Sequence, residues 1–288
     1  MFNSFRIIGV VHANRVFKAC SWLGLTICGW LLVPSMVHAG LIAADDAGNY
    51  TSWGSTASSA GQSAAAGSTG ISGWTYYNPA NNGSQSGSFL GSSANINTSG
   101  KSWGIYANSG QTASAVASFS QGSLQAGQQL SVQMQNTSIN SGGSVGISLR
   151  NSSGQNVFEF YFNGGDTHYD INVWNSSTGN QMATSVGYTS GAMTLNFNQQ
   201  SGGGWSFDIY TGGTLAQTLS PSTSGTLWSD ISQIRFFDYN SGGGNNVYFN
   251  NLQVVPEPVT LALPIFAGLL VTAGLSRRVL SRLGSRGN

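Results

Sequence analysis

The stretch "GGDTHYDINVW" sets Asp166, His168 and Asp170 at every second residue. Alternate side chains of an extended strand share a face, so two carboxylates and an imidazole project together. Hard carboxylate oxygens suit calcium, whereas His168 shifts the preference toward a transition metal. A metal centre also needs ligands from other strands, and the same spacing arises where a solvated loop enters a strand edge. No metal ligand is therefore assigned, and calcium is the ion these residues would admit. Glycoside hydrolysis asks for two carboxyl groups on facing elements, about 5–9.5 Å apart. Glu159 alternates with Phe158 and Phe160, and Asp208 with Phe207 and Ile209, so both point away from the core and could share an outer sheet. Any two exposed acids would do the same.

Trp53, Trp74, Tyr76, Tyr77, Trp103, Tyr106 and Trp174 lie in or beside polar, glycine-rich stretches. Exposed rings stack on sugar faces while neighbouring amides bond hydroxyls, which makes these residues candidates for a glycan surface; the other fate of each ring is the core. Trp205, in phase with Phe207 and Ile209, is expected inside.

These side chains must be carried by strands. Leu130, Val132 and Met134 alternate with Ser131, Gln133 and Gln135, and the pattern recurs at Val145, Ile147, Leu149, at Phe158, Phe160, Phe162, at Met193, Leu195, Phe197 and at Trp205, Phe207, Ile209. Such alternation marks half-buried strands, and the runs "NSGG", "NSSG", "NGGD" and "NSGGG" between them are turns. No helical period competes between Gly40 and Val254. The expectation is an all-β domain over 40–254, an antiparallel β-sandwich of jelly-roll type with ten or more strands. A parallel β-helix, the rival, needs a regular repeat of about 20 residues, and the spacings vary too much. The small-residue tract around 55–73 is expected as a long loop.

Between Gly40 and Val254 three basic residues stand against eight acidic ones, a net charge of −5. Lys101, Arg150 and Arg235 cannot neutralise a run of phosphates, which excludes nucleic acid as a partner. Cys20, Cys28, His12 and His38 all precede Gly40, leaving His168 the one histidine and no thiol beyond that point. No Gly-x-Ser-x-Gly elbow is present, and no catalytic residue is assigned.

The two ends read differently. Arg6, Arg15 and Lys18 precede an apolar stretch from Trp22 to Val33, and Val37-His38-Ala39 suits a signal peptidase cutting between Ala39 and Gly40. Residues 1–39 are thus expected to be a signal peptide, with an uncleaved anchor as the alternative. At the other end an uncharged run over 259–275 is followed by Arg277, Arg278, Arg282 and Arg286. At about 1.5 Å per residue it makes a short transmembrane helix, its arginine side cytoplasmic. A helix completing a soluble core would show a polar face, and this one does not.

Pro256-Glu257-Pro258, then the apolar span, then the arginine cluster resemble the PEP-CTERM sorting signal of Gram-negative bacteria. The resemblance covers 255–288. It implies recognition by an exosortase at the inner membrane, removal of the tail and delivery to the cell surface or extracellular matrix. Pro256 and Pro258 also keep the segment extended and short of backbone donors, as a processing enzyme requires. The stretches "DDAGNYTSW", "GKSWGIYANSG", "VGISLRNSSG" and "FEFYFNGGD" loosely resemble a concanavalin-like sandwich module of secreted bacterial proteins, which names no activity. The resulting expectation is a non-enzymatic structural or adhesive matrix protein associated with polysaccharide; the alternative is a weak polysaccharide-processing enzyme of glycoside hydrolase type.

Overall fold

A computed structural model describes residues 40–92, 94–174, 179–220 and 230–257. The expected signal peptide, the apolar span 259–275, Pro258, Arg277 and Arg278 lie outside them. The described chain forms strands β1 (Ala43–Asp45), β2 (Ser59–Ser63), β3 (Ile71–Tyr77), β4 (Ser86–Gly91), β5 (Ser102–Ala107), β6 (Thr112–Phe119), β7 (Gln128–Asn136) and β8 (Ser144–Arg150). It continues with β9 (Asn156–Asn163), β10 (His168–Trp174), β11 (Gly179–Gly187), β12 (Met193–Gln199), β13 (Trp205–Thr211), β14 (Thr214–Leu219), β15 (Gln233–Tyr239) and β16 (Val247–Pro256). Two single turns of 3-10 helix, Ala47–Asn49 and Ser201–Gly203, are the helix among the described residues, and none there is long and apolar enough to cross a membrane.

The strands form two antiparallel sheets. Sheet 1 runs β14-β13-β12-β7-β16-β5-β4, with β1 also on β16; sheet 2 runs β11-β10-β9-β8-β15-β6-β3-β2. Each alternating set expected inside is buried, from Leu130, Val132 and Met134 to Trp205, Phe207 and Ile209. Rings from the two inner faces meet. Phe236 of β15 stacks on Phe249 of β16 with centroids 4.1 Å apart and planes 6° from parallel, Trp74 of β3 meets Trp103 of β5 at 5.0 Å, and Phe158 of β9 meets Phe207 of β13 at 4.8 Å. The architecture is a β-sandwich.

These contacts decide between the two fates open to the rings, and four of them belong to the core. Trp53, Trp74, Tyr76 and Trp103 are at most 4% exposed, and Trp53 packs edge-on to Trp74 and Tyr76 at 5.3 and 5.2 Å. On β5 the neighbours of these positions lie on the other side of the strand, so local composition hid an alternation of Trp103, Ile105 and Ala107. Gly104 on the other side of β5 is glycine for a reason: a Cβ there would lie 2.5 Å from the Phe89 ring that covers it.

The tract 55–73 is also corrected, because Ser59–Ser63 is a strand paired with Gly73–Tyr77. As an edge strand it buries no large side chain, which removes the periodic signal; it is tied instead by Gln62, whose Oε1 accepts from the Tyr76 hydroxyl at 2.6 Å. The last strand runs past 254, the expected end of the sandwich. Val255 and Pro256 pair with Gln129 and Gln128, and the Glu257 N–H donates to Gly127 O at 2.7 Å. The first half of the Pro-Glu-Pro segment is therefore extended as expected, but docked on β7 rather than unpaired.

Asp45 and Asp238 are buried among neutral donors. Asp45 accepts from the Tyr50 hydroxyl at 2.6 Å, Trp74 Nε1 at 2.8 Å, the Ser68 hydroxyl at 2.5 Å and the Asp46 N–H at 2.9 Å. Asp238 accepts from the Ser241 N–H at 3.3 Å and hydroxyl at 2.8 Å. Burial raises the pKa of Asp45 and pushes Asp238 well above the usual carboxylate range, against the pull of those donors. A raised folded-state pKa means that the folded form binds the proton more tightly, so this stability is present below the unfolded value and lost as pH rises through the folded one. Asp230, held low by Ser123 and Ser152 at the surface, works in the opposite direction. The melting temperature should rise as pH falls from 7 toward 5, and Asp238→Asn should flatten that rise. A melting temperature that falls over this window, or an unchanged slope in the variant, would contradict the assignment.

Candidate functional site

The outer face of sheet 2 gathers the side chains best suited to a ligand. Because the register is continuous across seven strands, Thr75, Val116, Arg235, Ser148, Glu159, Asn172 and Gln181 lie in one row from β3 to β11. The adjoining row holds Tyr77, Ser114, Phe237, Gly146, Tyr161, Asp170 and Ala183. Both rows face outward because the residues between them, among them Tyr76, Phe236, Ile147 and Phe160, fill the core.

In the second row an aromatic ring stands on every second strand, with Ser114 and Gly146 between. At about 4.8 Å per strand, Tyr77, Phe237 and Tyr161 follow one another at roughly 9.6 Å. Tyr77 is 52% exposed, Phe237 is half-buried, and Tyr161 keeps 9%. Gly146 cannot carry a side chain, since a Cβ would sit 2.2 Å from Phe160 O.

The first row is held by an ion pair. Arg235 Nη2 lies 3.0 Å from Glu159 Oε1 and donates to Ser148 Oγ at 2.9 Å, while its guanidinium covers the Phe237 ring at 4.8 Å. Glu159 Oε1 also accepts from the Ser148 hydroxyl at 2.8 Å and Asn156 Nδ2 at 2.7 Å. Burial pushes the Glu159 carboxyl up, and Arg235, Ser148 and Arg150 pull it back. Arg150 completes this corner and donates to Gly154 O.

The anticipated pairing of Glu159 with Asp208 does not form. Asp208 is on β13, facing outward from sheet 1, and accepts from the Thr218 hydroxyl at 2.6 Å and Asn198 Nδ2 at 3.1 Å. The carboxylate that shares a face with Glu159 is Asp170, diagonal to it on β10 and bonded by Gln181 Nε2 at 3.1 Å. Burial raises the Asp170 pKa, and Gln181 lowers it.

Asp166, His168 and Asp170 each keep a separate partner. Asp166 takes Asn163 Nδ2 at 3.0 Å, His168 Nδ1 sits 2.7 Å from the Thr167 hydroxyl, and a register shift separates His168 from Asp170. Among the described residues no three such side chains group closely enough to hold a metal. Tyr106 lies half-buried against Phe89 and donates to Gly83 O, and Trp174 is half-buried at the end of β10.

Sheet 1 turns a different face outward. Gln129 Nε2 donates to Asn198 Oδ1 at 2.8 Å, Asn198 Nδ2 to Ser206 Oγ at 3.0 Å, and Asn251 Nδ2 to Gln133 Oε1 at 2.5 Å. These amides spend their donors on one another, and Ala94 and Ile96 cover the far end by packing on Tyr248 and Phe89.

Sequence reasoning singled out Glu159 and Tyr77 as site candidates but gave no such role to Arg235, Phe237 or Tyr161. Their signal was available: in "QIRFFDY" Arg235 and Phe237 occupy the phase opposite to Ile234 and Phe236. Removing one partner of the ion pair strands the other, so Glu159→Gln should cost on the order of 1.5–3 kcal/mol in urea unfolding. Pairing it with Arg235→Gln should recover part of that loss. Strictly additive losses would show that the pair is uncoupled.

No protein-family model matches the chain, and no curated protein matches it. Among solved structures it is similar to the globular domain of T. cruzi calreticulin, at 7% identity and a TM-score of 0.48, over 72% of this chain and 95% of that one. A carbohydrate esterase of Shiga toxin-encoding bacteriophage phi24B is similar at 15% identity and a TM-score of 0.42, over 65% and 91%. A structure of botulinum neurotoxin type C, whose cell entry depends upon interaction with two ganglioside molecules, is similar at 10% identity and a TM-score of 0.41, over 61% of this chain and 44% of that one. Identities this low, with TM-scores below 0.5, leave the function of this chain to be argued from its own residues.

Proposed function

We propose that the chain is an exported surface or matrix protein whose sandwich binds polysaccharide across the outer face of sheet 2. The observation that supports this most is the row Tyr77, Phe237, Tyr161, with rings two strands apart beside the Arg235–Glu159 pair and the Asn172 and Gln181 amides. Sugar rings offer apolar C–H faces and hydroxyl edges, and such a row meets the first with aromatics and the second with charge-assisted and amide groups. A spacing of two strands matches a ligand that presents the same face at every second unit.

The contacts are largely neutral, so binding should change little with salt, unlike adhesion screened within about 10 Å at 0.1 M. In affinity electrophoresis through gels cast with bacterial exopolysaccharide, the protein should be retarded, and Tyr77→Ala should weaken retention about five- to tenfold. Retention unchanged in Tyr77→Ala and Phe237→Ala would place the surface elsewhere. A second reading, glycan processing, draws on Glu159 and Asp170 sharing this face; reducing ends released from the same polysaccharide, and lost in Asp170→Asn, would favour it.

Export rests on the expected signal peptide and on the Pro256-Glu257-Pro258 segment with its apolar span and Arg277 and Arg278. In this reading an exosortase removes the tail at the inner membrane and the sandwich reaches the cell surface or medium. Alanines at Pro256, Glu257 and Pro258 should leave export intact and stop release, as judged by fractionating membrane from medium. Unchanged release would overturn the exosortase assignment.

A further inference from the structure

We propose a second, smaller sugar site at one end of the sandwich, in a pocket lined by Ser138, Ile139, Phe162, Gly165, Asp166 and Tyr188. It measures about 280 Å³, at the lower edge of the range for ligand pockets, which suits one sugar ring rather than a run of them.

The walls are fixed before any ligand arrives. Gly164 N–H donates to Gly143 O at 2.9 Å, Gly142 N–H to Gly164 O at 3.3 Å, and Asn140 N–H to Ser241 O at 2.9 Å. A Cβ on Gly164 would lie 1.8 Å from Asn140 O, so the loop after β7 and the turn after β9 touch backbone to backbone. Rigid walls reduce the ordering cost of binding.

Two groups give the pocket its chemistry. The Tyr188 ring is 42% exposed yet held, packed on Phe162 with centroids 4.9 Å apart while its N–H donates to Thr167 O at 3.1 Å. It forms an apolar plate at the pocket edge. Asp166 is exposed, and its Oδ2 is braced by Asn163 Nδ2 at 3.0 Å. An ionised carboxylate accepts at about four lone-pair positions, so most of its capacity remains for ligand hydroxyls.

A ring plate beside an acceptor-only anion fits a molecule with one C–H face and adjacent hydroxyl donors, which is a neutral hexose. Hydroxyl donation to the carboxylate is charge-assisted and strong. A uronic acid would bring a second anion toward Asp166, with Asp170 close by on β10, and is disfavoured. The geometry selects a chain terminus or branch, where one ring can enter alone. This site shares with the proposed function only the class of ligand, and none of the residues.

The test is titration of the full-length chain with methyl glucoside, methyl galactoside, methyl mannoside and methyl glucuronide, followed by saturation-transfer NMR. At least one neutral methyl hexoside should bind with a millimolar Kd, about tenfold more weakly in Tyr188→Ala and in the isosteric Asp166→Asn, and unchanged in Tyr77→Ala, with the glucuronide weaker than the neutral sugars. Melting curves identify any variant that fails to fold, and Asp166→Asn alone then decides. No binding by any neutral methyl hexoside, binding indifferent to Asp166→Asn, or a glucuronide bound as tightly would overturn the site. Loss of polysaccharide retention in Tyr77→Ala with hexoside binding intact would separate the two surfaces.

Discussion

The stack of Phe236 on Phe249 joins the middle of one sheet to the middle of the other, and the rest of the molecule depends on that seam. Only 7% of residues are charged, and serine, glycine, threonine and asparagine dominate the outer positions, so apolar burial has to come from the inner faces. Large rings bury the most area per residue, and the seam extends through Trp74, Trp103 and Trp53 on one side and Phe158, Phe197 and Phe207 on the other. β15 and β16, which carry the stacked pair, are the last strands among the described residues and yet central in their sheets. The sandwich therefore closes only when β16 takes its place, with Pro256 and Glu257 docked at the start of β7.

The seam also decides what is left for function. By drawing four rings inward it takes the tryptophans of β3, β5 and the segment before β2 off the surface, and leaves the outer face of sheet 2 to tyrosine, phenylalanine and arginine in the opposite phase. Two of the three basic residues between Gly40 and Val254, Arg150 and Arg235, stand on the outer face of sheet 2, and both act on Glu159. Sheet 1 faces outward with amides already bonded to one another. Both outer faces carry side-chain networks, of amides on sheet 1 and of an ion pair with its hydroxyl and amide neighbours on sheet 2.

The alternating strands were legible because each buries one face: Leu130, Val132, Met134 and Phe158, Phe160, Phe162 point inward as their period requires. β2 was not, because Ser59–Ser63 buries nothing large and its place is set by pairing with β3, a contact distant from any local pattern. The fate of Trp103 stayed open between core and surface, since glycine and serine beside a ring describe the other face of the strand. Arg235, Ser148 and Glu159 are separated by up to 87 positions and become one cluster through register alone. Alternation tells which side a residue is on, but which strands adjoin it is a property of the whole sheet.

The central claim is that ligand contact belongs to the outer face of sheet 2. Backbone chemical-shift mapping of the isotope-labelled protein with oligosaccharides cut from an exopolysaccharide tests it most directly. The account predicts shifts clustered at the outward positions of β3, β6, β15, β8 and β9, centred on Tyr77, Phe237 and Tyr161. Shifts clustered instead at Gln133, Asn196 and Asn198 on sheet 1, or no shifts at saturating ligand, would contradict it.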